Sequence, residues 1–384
     1  MNPTRLPTVT ITARRGETND EVSLLVDGRR WFGWTDARIT RGIERLPSDF
    51  QVSLTEFVPA ERPIEIPLGA QVQVLIGEDV VLTGYVDRIM RGMDARSHTV
   101  TITGRSKCAD LVDCAAEWPG GQIVGSNVLA IAKKLAAPYG IEVTGIGDMG
   151  PAIPQFNLMR GESPYTIIER LCRFGQLLAY DDPDGDLVLT GVSKLHTASG
   201  FREGLNVQRA YFSAAMDGRF SETKCFIQSV ATLSDTGEGG DLQADIFDDS
   251  VPRHRGRVIV SGMSGKVGQE IAKSTALWSV ARAFGRGNQI KISSDSWRDS
   301  KGVVYAPNRL ALVELPSLRL PAALLTISEV TYHFGPGGTQ CDLTLMPPEA
   351  FQPQPFNVAS LLPFAELADV AAKYRAKKAA ETKK

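Results

Sequence analysis

A chain of 384 residues, 43% hydrophobic and 22% charged, is long enough for two or three domains that each bury a core. Its formal net charge of −2 excludes a general attraction to nucleic acid or acidic membranes, and no run approaches the roughly 18 consecutive apolar residues of a bilayer span. The start, MNPTRLPTVTITARRGE, has no apolar signal core, and Cys108, Cys114, Cys172, Cys225 and Cys341 form no CxxC pair, so the expectation is a soluble product of a cytoplasm with reduced, mostly core thiols.

Over the first hundred residues apolar and polar positions alternate in short runs: TVTITARR, EVSLLVDG, ARITRGIE, DFQVSLTEF, AQVQVLIG, VVLTGYVDRI and HTVTITGR. Gly, Pro, Asp and Asn part them, which predicts a small antiparallel barrel or sandwich, taken as a barrel over 1–105. After Gly104 the period becomes helical. In SNVLAIAKKLAAPYG, Val128, Ile131, Ala132 and Leu135 share a face, with Ser126 as the expected N-cap and Pro138 with Gly140 as the stop. In SPYTIIERLCRFGQ, Ser163 caps, Pro164 opens the helix, and Ile167, Ile168, Leu171 and Cys172 line one face. LLAYDDPDGDLVLTG follows as a hairpin, which makes 106–203 an α+β section.

Strands return from 204 to 350, beginning with VQRAYFSAAMD and SETKCFIQSVATLS. An excursion at about 234–286 interrupts them: SDTGEGGDLQADIFDDS is expected as a long surface loop or arm, and KVGQEIAKSTALWSVARAFGR as a helix. Residues 351–384 read as a Pro-punctuated linker and a basic helical tail. The expected fold is a β-rich α+β protein with two similar antiparallel β-barrels flanking an α+β middle domain. The similarity rests on an ungapped repeat. Val72 aligns with Val313, Val74 with Leu315, Val86 with Ile327, Ile89 with Val330, Val100 with Cys341 and Ile102 with Leu343, always 241 positions apart. A weaker echo links ITRGIERLPSDFQVSL to YFSAAMDGRFSETKCFI. The first copy keeps polar outward positions such as Asp87 and Arg88, while the second contains the more apolar LPAALLTI, which fits one copy being more covered.

Candidate chemistry is thin. DDPDGD, from Asp181 to Asp186, has calcium-loop letters but lacks the distal Glu and has the order of a turn. GIGDMG, from Gly145 to Gly150, matches a dinucleotide fingerprint, yet Pro151 and Pro154 forbid the helix that would hold a pyrophosphate. SGMSGK lacks both the upstream glycine and the hydroxyl of a phosphate loop. His98, His196, His254 and His333 are scattered, so no catalytic residue, metal or cofactor is expected. Trp31 and Trp34 in RRWFGW offer either a stacking surface or, more in keeping with strands, core or an oligomer contact.

The blocks GWTDARITRGIERLPSDFQVSLTE, GAQVQVLIGEDVVLTGYVDRI, HTVTITGRSKCADLVDC, RGESPYTIIERLCRFGQLLAYDDPDGDLVLTG, DDSVPRHRGRVIVS and SWRDSKGVVYAPNRLALVELPSLRL, in that order, resemble the Mu-like, gpP-like baseplate hub proteins of contractile phage tails, from about Val9 to Phe351. The resemblance implies a structural, non-enzymatic virion component, assembled in the host cytoplasm. It implies a homotrimeric ring that joins the tail tube, or a tube initiator, to a threefold central spike among other baseplate proteins, with DNA passing only transiently through the lumen. It also places Trp297, Arg298 and Asn308 at a loop beside the second barrel, where they either dock a neighbour or brace that loop. A peptidoglycan-hydrolysing tail component and the hub of a contractile secretion machine are the alternatives.

Overall fold

The computed structural model describes residues 20–55, 66–94, 98–118, 122–150, 152–175, 177–228, 241–262 and 268–351. Period-two burial builds the first part, β1 (Val22–Val26), β2 (Arg29–Trp31), β3 (Asp36–Gly42), β4 (Arg45–Thr55), β5 (Gln71–Ile76), β6 (Asp79–Met93) and β7 (His98–Ser106). Phe50, Val52 and Leu54 of β4 and Val100 and Ile102 of β7 turn inward while their neighbours stay partly exposed. The runs TVTITARR and the C-terminal 352–384 lie outside the described residues.

The middle part contains α1 (Ala109–Asp113), β8 (Gln122–Ser126), α2 (Val128–Ala136), β9 (Val143–Ile146), β10 (Ile153–Asn157), α3 (Pro164–Gly175), β11 (Leu178–Asp181) and β12 (Leu187–Thr190). Its helices pack a core of their own through Val128, Ile131, Leu135, Ile167, Ile168 and Leu171. Ser163 caps α3 as expected, its Oγ accepting from Thr166 N at 3.2 Å. The cap of α2 is Asn127, whose Oδ1 accepts from Ala130 N at 2.7 Å; Ser126 is instead the last residue of β8, paired with Ile153. GIGDMG runs from β9 into a loop ahead of β10, with no helix between them among the described residues, and DDPDGD is the β11–β12 turn, Asp182 N donating to Asp186 O at 2.9 Å.

The last part comprises β13 (Phe201–Arg202), β14 (Arg209–Ala214), β15 (Glu222–Gln228), β16 (Asp241–Phe247), β17 (Gly256–Gly262), α4 (Gly268–Arg286), β18 (Asn288–Ser294), β19 (Leu310–Leu315), β20 (Leu320–Gly335) and β21 (Gly338–Met346). The stretch expected as a loop or arm is in part a strand: β16 pairs antiparallel with β15, which pairs parallel with β17. Cys225 and Ala276 are the buried contacts where α4 covers this small sheet. Met263–Val267, the end of SGMSGK and the residue after it, lie outside the described residues. All five cysteines are free thiols, four of them buried, and burial pushes the Cys172 thiol up to about 12.

The two expected barrels are a correction. Among the described strands none closes; one 13-stranded sheet runs β14-β18-β21-β20-β3-β4-β7-β6-β5-β1-β2, with β19 beside β20 and β13 beside β19. The cause is the length of β20. Its 16 residues are paired with β19 only as far as Thr326, so the same edge remains open further on, and β3 takes it. The sheet therefore passes from one half of the chain into the other, and a single apolar core extends from Val22 to Leu345.

Within that sheet the antiparallel order β3-β4-β7-β6 is repeated by β14-β18-β21-β20. The bulge between Val86 and Arg88 recurs between Ile327 and Glu329, at the 241-residue spacing. Two sequence alignments need correction. Val72 faces Gly84, but Leu325, the counterpart of Gly84, faces Ala311 and not Val313, because the β19–β20 turn is longer by two residues. A shift of two leaves the same side chains facing inward. SETKCFI is β15 of the small sheet, so it does not match β4; β18 takes that place, and β15, β16, β17 and α4 are an insertion before it.

Gly104 of β7 sits where no side chain fits: a Cβ there would lie 2.2 Å from Tyr85 O and 2.5 Å from the Phe50 ring. Gly104→Val is expected to cost about 3 kcal/mol or more, read as a lower urea midpoint for loss of tryptophan fluorescence, whereas Gly218→Val, with no atom near its Cβ, leaves the midpoint within error.

Candidate functional site

What the fold gathers is a joint between the parts of the chain. At its centre Glu329–Phe334 of β20 pair with Ala37–Gly42 of β3. Thr331 Oγ1 lies 3.3 Å from Thr40 Oγ1, and Ile43 N donates to Ser328 O at 2.9 Å. Val330, Tyr332 and Ile39 are buried along this seam, and burial raises the Tyr332 phenol well above the ordinary tyrosine range.

Arg298 closes the joint from one side. It follows Trp297, which is fully buried, donates from Nε1 to Gln340 O at 3.0 Å and meets Tyr332 edge-on at 6.3 Å. So anchored, the guanidinium crosses to the first half: Nε donates to Asp20 at 2.7 Å, Nη1 to Asp79 at 2.5 Å and Nη2 to Ile76 O at 3.0 Å. Burial works against its charge, and the two carboxylates outweigh that, so its pKa ends above the usual arginine value. Trp297 and Arg298 thus brace the loop they share and reach across the seam.

The middle part is held by two adjacent residues of β11. Tyr180 OH accepts from Asn308 Nδ2 at 3.1 Å, and Asp181 accepts from Ser48 N at 2.9 Å and Ser48 Oγ at 2.6 Å. One residue therefore faces the last part of the chain and the next faces the first. Burial raises the Tyr180 phenol, a shift that the Asn308 contact partly offsets. Asn308 holds its backbone at φ +58°, a left-handed conformation that asparagine tolerates. It accepts from Ser193 N at 2.9 Å, donates to Gly191 O at 3.2 Å, and its own N–H reaches Ile327 O at 2.9 Å. Beside these bonds Ile43, Leu178, Met346, Ala350 and Phe351 form one apolar cluster with Trp278 of α4 against it, so every part of the chain meets there.

The other candidates lie apart. Trp34 is 5% exposed and Trp31 is half-buried against the main core, so neither presents a free aromatic face. A cleft of about 910 Å³ between α3, α4 and the β3–β4 turn carries Glu44, Glu169 and Asp217 against Arg257, Arg282 and Arg286, and no histidine. Among the described residues no group of three His, Cys, Asp or Glu could hold a metal ion. Sequence reasoning missed Ser48, Tyr180 and Asp181; DDPDGD was legible as a turn, but nothing local marks that its first carboxylate points at a residue 133 positions away. It also missed Arg219, buried against Asp248 at 2.7 Å, which ties the inserted sheet to its own base.

Asp181→Ala strips two hydrogen bonds from Ser48 inside the joint and is expected to cost about 2–4 kcal/mol. Arg298→Met costs less, about 1–2 kcal/mol, because the side chains of Asp79 and Asp20 are 59% and 23% exposed and both are reached by water once the guanidinium is gone. Thermal unfolding of both variants checks the order, and the reverse order contradicts this account of the joint.

Three family models match: the Mu phage baseplate assembly protein GpP-like N-terminal region over 21–106, the baseplate hub protein gp44-like second domain over 108–191, and the Mu phage baseplate assembly protein GpP fourth domain over 268–354. The baseplate hub protein gp44 of Escherichia phage Mu is 28% identical over 346 residues, 87% of this chain and 89% of that protein. The 43 kDa tail protein of prophage MuSo2 from Shewanella oneidensis superposes with a TM-score of 0.79 at 28% identity, covering 86% of this chain and all of that one. A tail protein from Neisseria meningitidis MC58 shares the fold with a TM-score of 0.75 at 22% identity, covering 87% and 98% of the two chains. The chain belongs to the Mu phage baseplate hub protein gp44/GpP-like family, and is a structural protein of a phage tail baseplate.

Proposed function

We propose that this protein is the symmetry adaptor of a contractile tail, a homotrimeric ring that joins the tail tube to a threefold central spike. The observation that carries this reading is the repeated antiparallel order, β3-β4-β7-β6 and β14-β18-β21-β20, joined side by side by the β20–β3 seam. A tube of sixfold rings needs six equivalent landing places, and three chains with two like modules each supply them while remaining threefold elsewhere. The two modules, over 1–105 and 204–350, are read as copies of one ancestral β-module, and the shared bulge supports that descent. The middle section, 106–203, occurs once per chain and is assigned to the threefold, spike-facing side. Trp297, Arg298 and Asn308 then act inside each subunit, fixing the angle between its modules, and are not themselves docking residues.

Light scattering of the purified chain is expected to give three times 41.6 kDa, and a mixture with the cognate spike one hub trimer per spike trimer. A stable dimer contradicts the reading. Because DNA must pass without sticking, inward side chains of the ring are expected to be neutral or acidic on balance; a density map of the trimer with a ring of inward Lys and Arg contradicts that.

A further inference from the structure

The β20–β3 seam has a counterpart that one chain leaves open. By the 241-residue spacing the second half of β6 corresponds to the stretch of β20 that takes β3. By strand order β14 corresponds to β3: Ile39 faces Phe50 as Phe212 faces Ile290, and Phe50 and Ile290 face Gly104 and Leu345 in turn. Among the described residues β6 has no strand partner opposite β7 beyond Val86, and β14 has none opposite β18. The side chains register the difference. Val330 is fully buried in the closed seam while its counterpart Ile89 is half-exposed, and Met90, Met93 and Tyr211 stand 44%, 79% and 62% exposed on the open edges. Neither stretch carries a lysine or proline; the charges on them are Asp87, Arg88 and Arg91 of β6 and Arg209 of β14, and the bulge of β6 lies at the start of its open stretch.

We infer that β6 of one copy pairs antiparallel with β14 of the next, in the register of the closed seam. Carried across, that register sets Ile89 opposite Ala214, Met90 opposite Ser213 and Met93 opposite Ala210. The inference rests on the proposed ring and adds which edges form it. The two edges bound an eight-strand ribbon, β14-β18-β21-β20-β3-β4-β7-β6, so each copy offers one of each kind at opposite ends. Such a heterologous contact must close into a ring or run on as a filament; three copies leave no bare edge on the ribbon.

The pair Met90–Ser213 corresponds to Thr331–Thr40, whose side chains touch at 3.3 Å, and opposed antiparallel residues have Cα atoms about 4.5–5.5 Å apart, within disulfide reach. The test uses the full chain carrying Cys114→Ser, since Cys114 is the one cysteine not buried. With Met90→Cys and Ser213→Cys together, mild oxidation is expected to give covalent dimers and a closed covalent trimer on a non-reducing gel. Each single variant stays at monomer size, and Met90→Cys with Arg209→Cys, out of register, links at least tenfold less. A trimer by light scattering whose in-register pair links no better than the out-of-register pair overturns the inferred edges and leaves the ring standing. A cross-link confined within one chain also overturns them. A chain that stays monomeric at every concentration overturns both readings.

Discussion

Everything in this molecule follows from how the second half of β20 satisfies its backbone. A strand of 16 residues carries more N–H and C=O groups than its hairpin partners can pair, and an unpaired buried group costs as much as a lost hydrogen bond. Pairing with β3 answers that need within the chain, and it turns two sheets into one. Once joined, they share a core, so Val330 and Tyr332 of one half bury against Ile39 of the other. The relative orientation of the halves is then set by backbone hydrogen bonds, a stiffer link than packed surfaces alone. Arg298 and the β11 pair, Tyr180 and Asp181, add side-chain ties at the margins, but their positions make sense only because the seam has already brought Asp79, Ser48 and Asn308 within reach.

The halves are alike in strand order and unlike in what hangs from them. Between β14 and β18 the chain inserts a three-stranded sheet and α4, where the first half has only a tight turn between β3 and β4. Between β7 and β13 it inserts the helical middle part, which has no equivalent after β21 among the described residues. The proposed ring of three such chains would have a near-sixfold wall and a strictly threefold periphery. The two-residue slide of β19 relative to β5 is one departure from equivalence, and an even shift is the kind a two-sided strand absorbs without moving its inward side chains; the bulge between Thr40 and Gly42, absent from β14–β18, is another.

Much of this was legible in the sequence because it is local or periodic. Alternation in DFQVSLTEF and HTVTITGR, the Ser163–Pro164 opening of α3, and the turn order of DDPDGD each depend on a few neighbouring residues. The 241-residue spacing was legible because β6, β7 and the bulge between them repeat without a gap. Closure was not legible. Whether β20 curls back on its own module or takes β3 is decided by which edge is free in three dimensions, and alternation reads the same either way. The insertion hid the match between β4 and β18, since SETKCFI alternates as well as DFQVSL does and stands where an ungapped reading looks for it. Asn308, by contrast, came into view through family resemblance alone; its left-handed backbone and four partners explain why an asparagine serves there.

The inferred edge pairing also fixes the scale of the ring, because strand number sets girth. Three eight-strand ribbons make 24 strands; at about 4.8 Å between strands and a tilt near 40°, the backbone wall closes at a diameter of about 48 Å. Side chains take about 5 Å of the radius, so a duplex travelling along the axis keeps its phosphates within roughly one Debye length, about 8 Å, of the wall. At that distance fixed charges on the wall are felt and incompletely screened. In the proposed ring the sign of the inward side chains would govern passage, and the modest overall charge of −2 does not reveal it, since that total sums all faces of the chain.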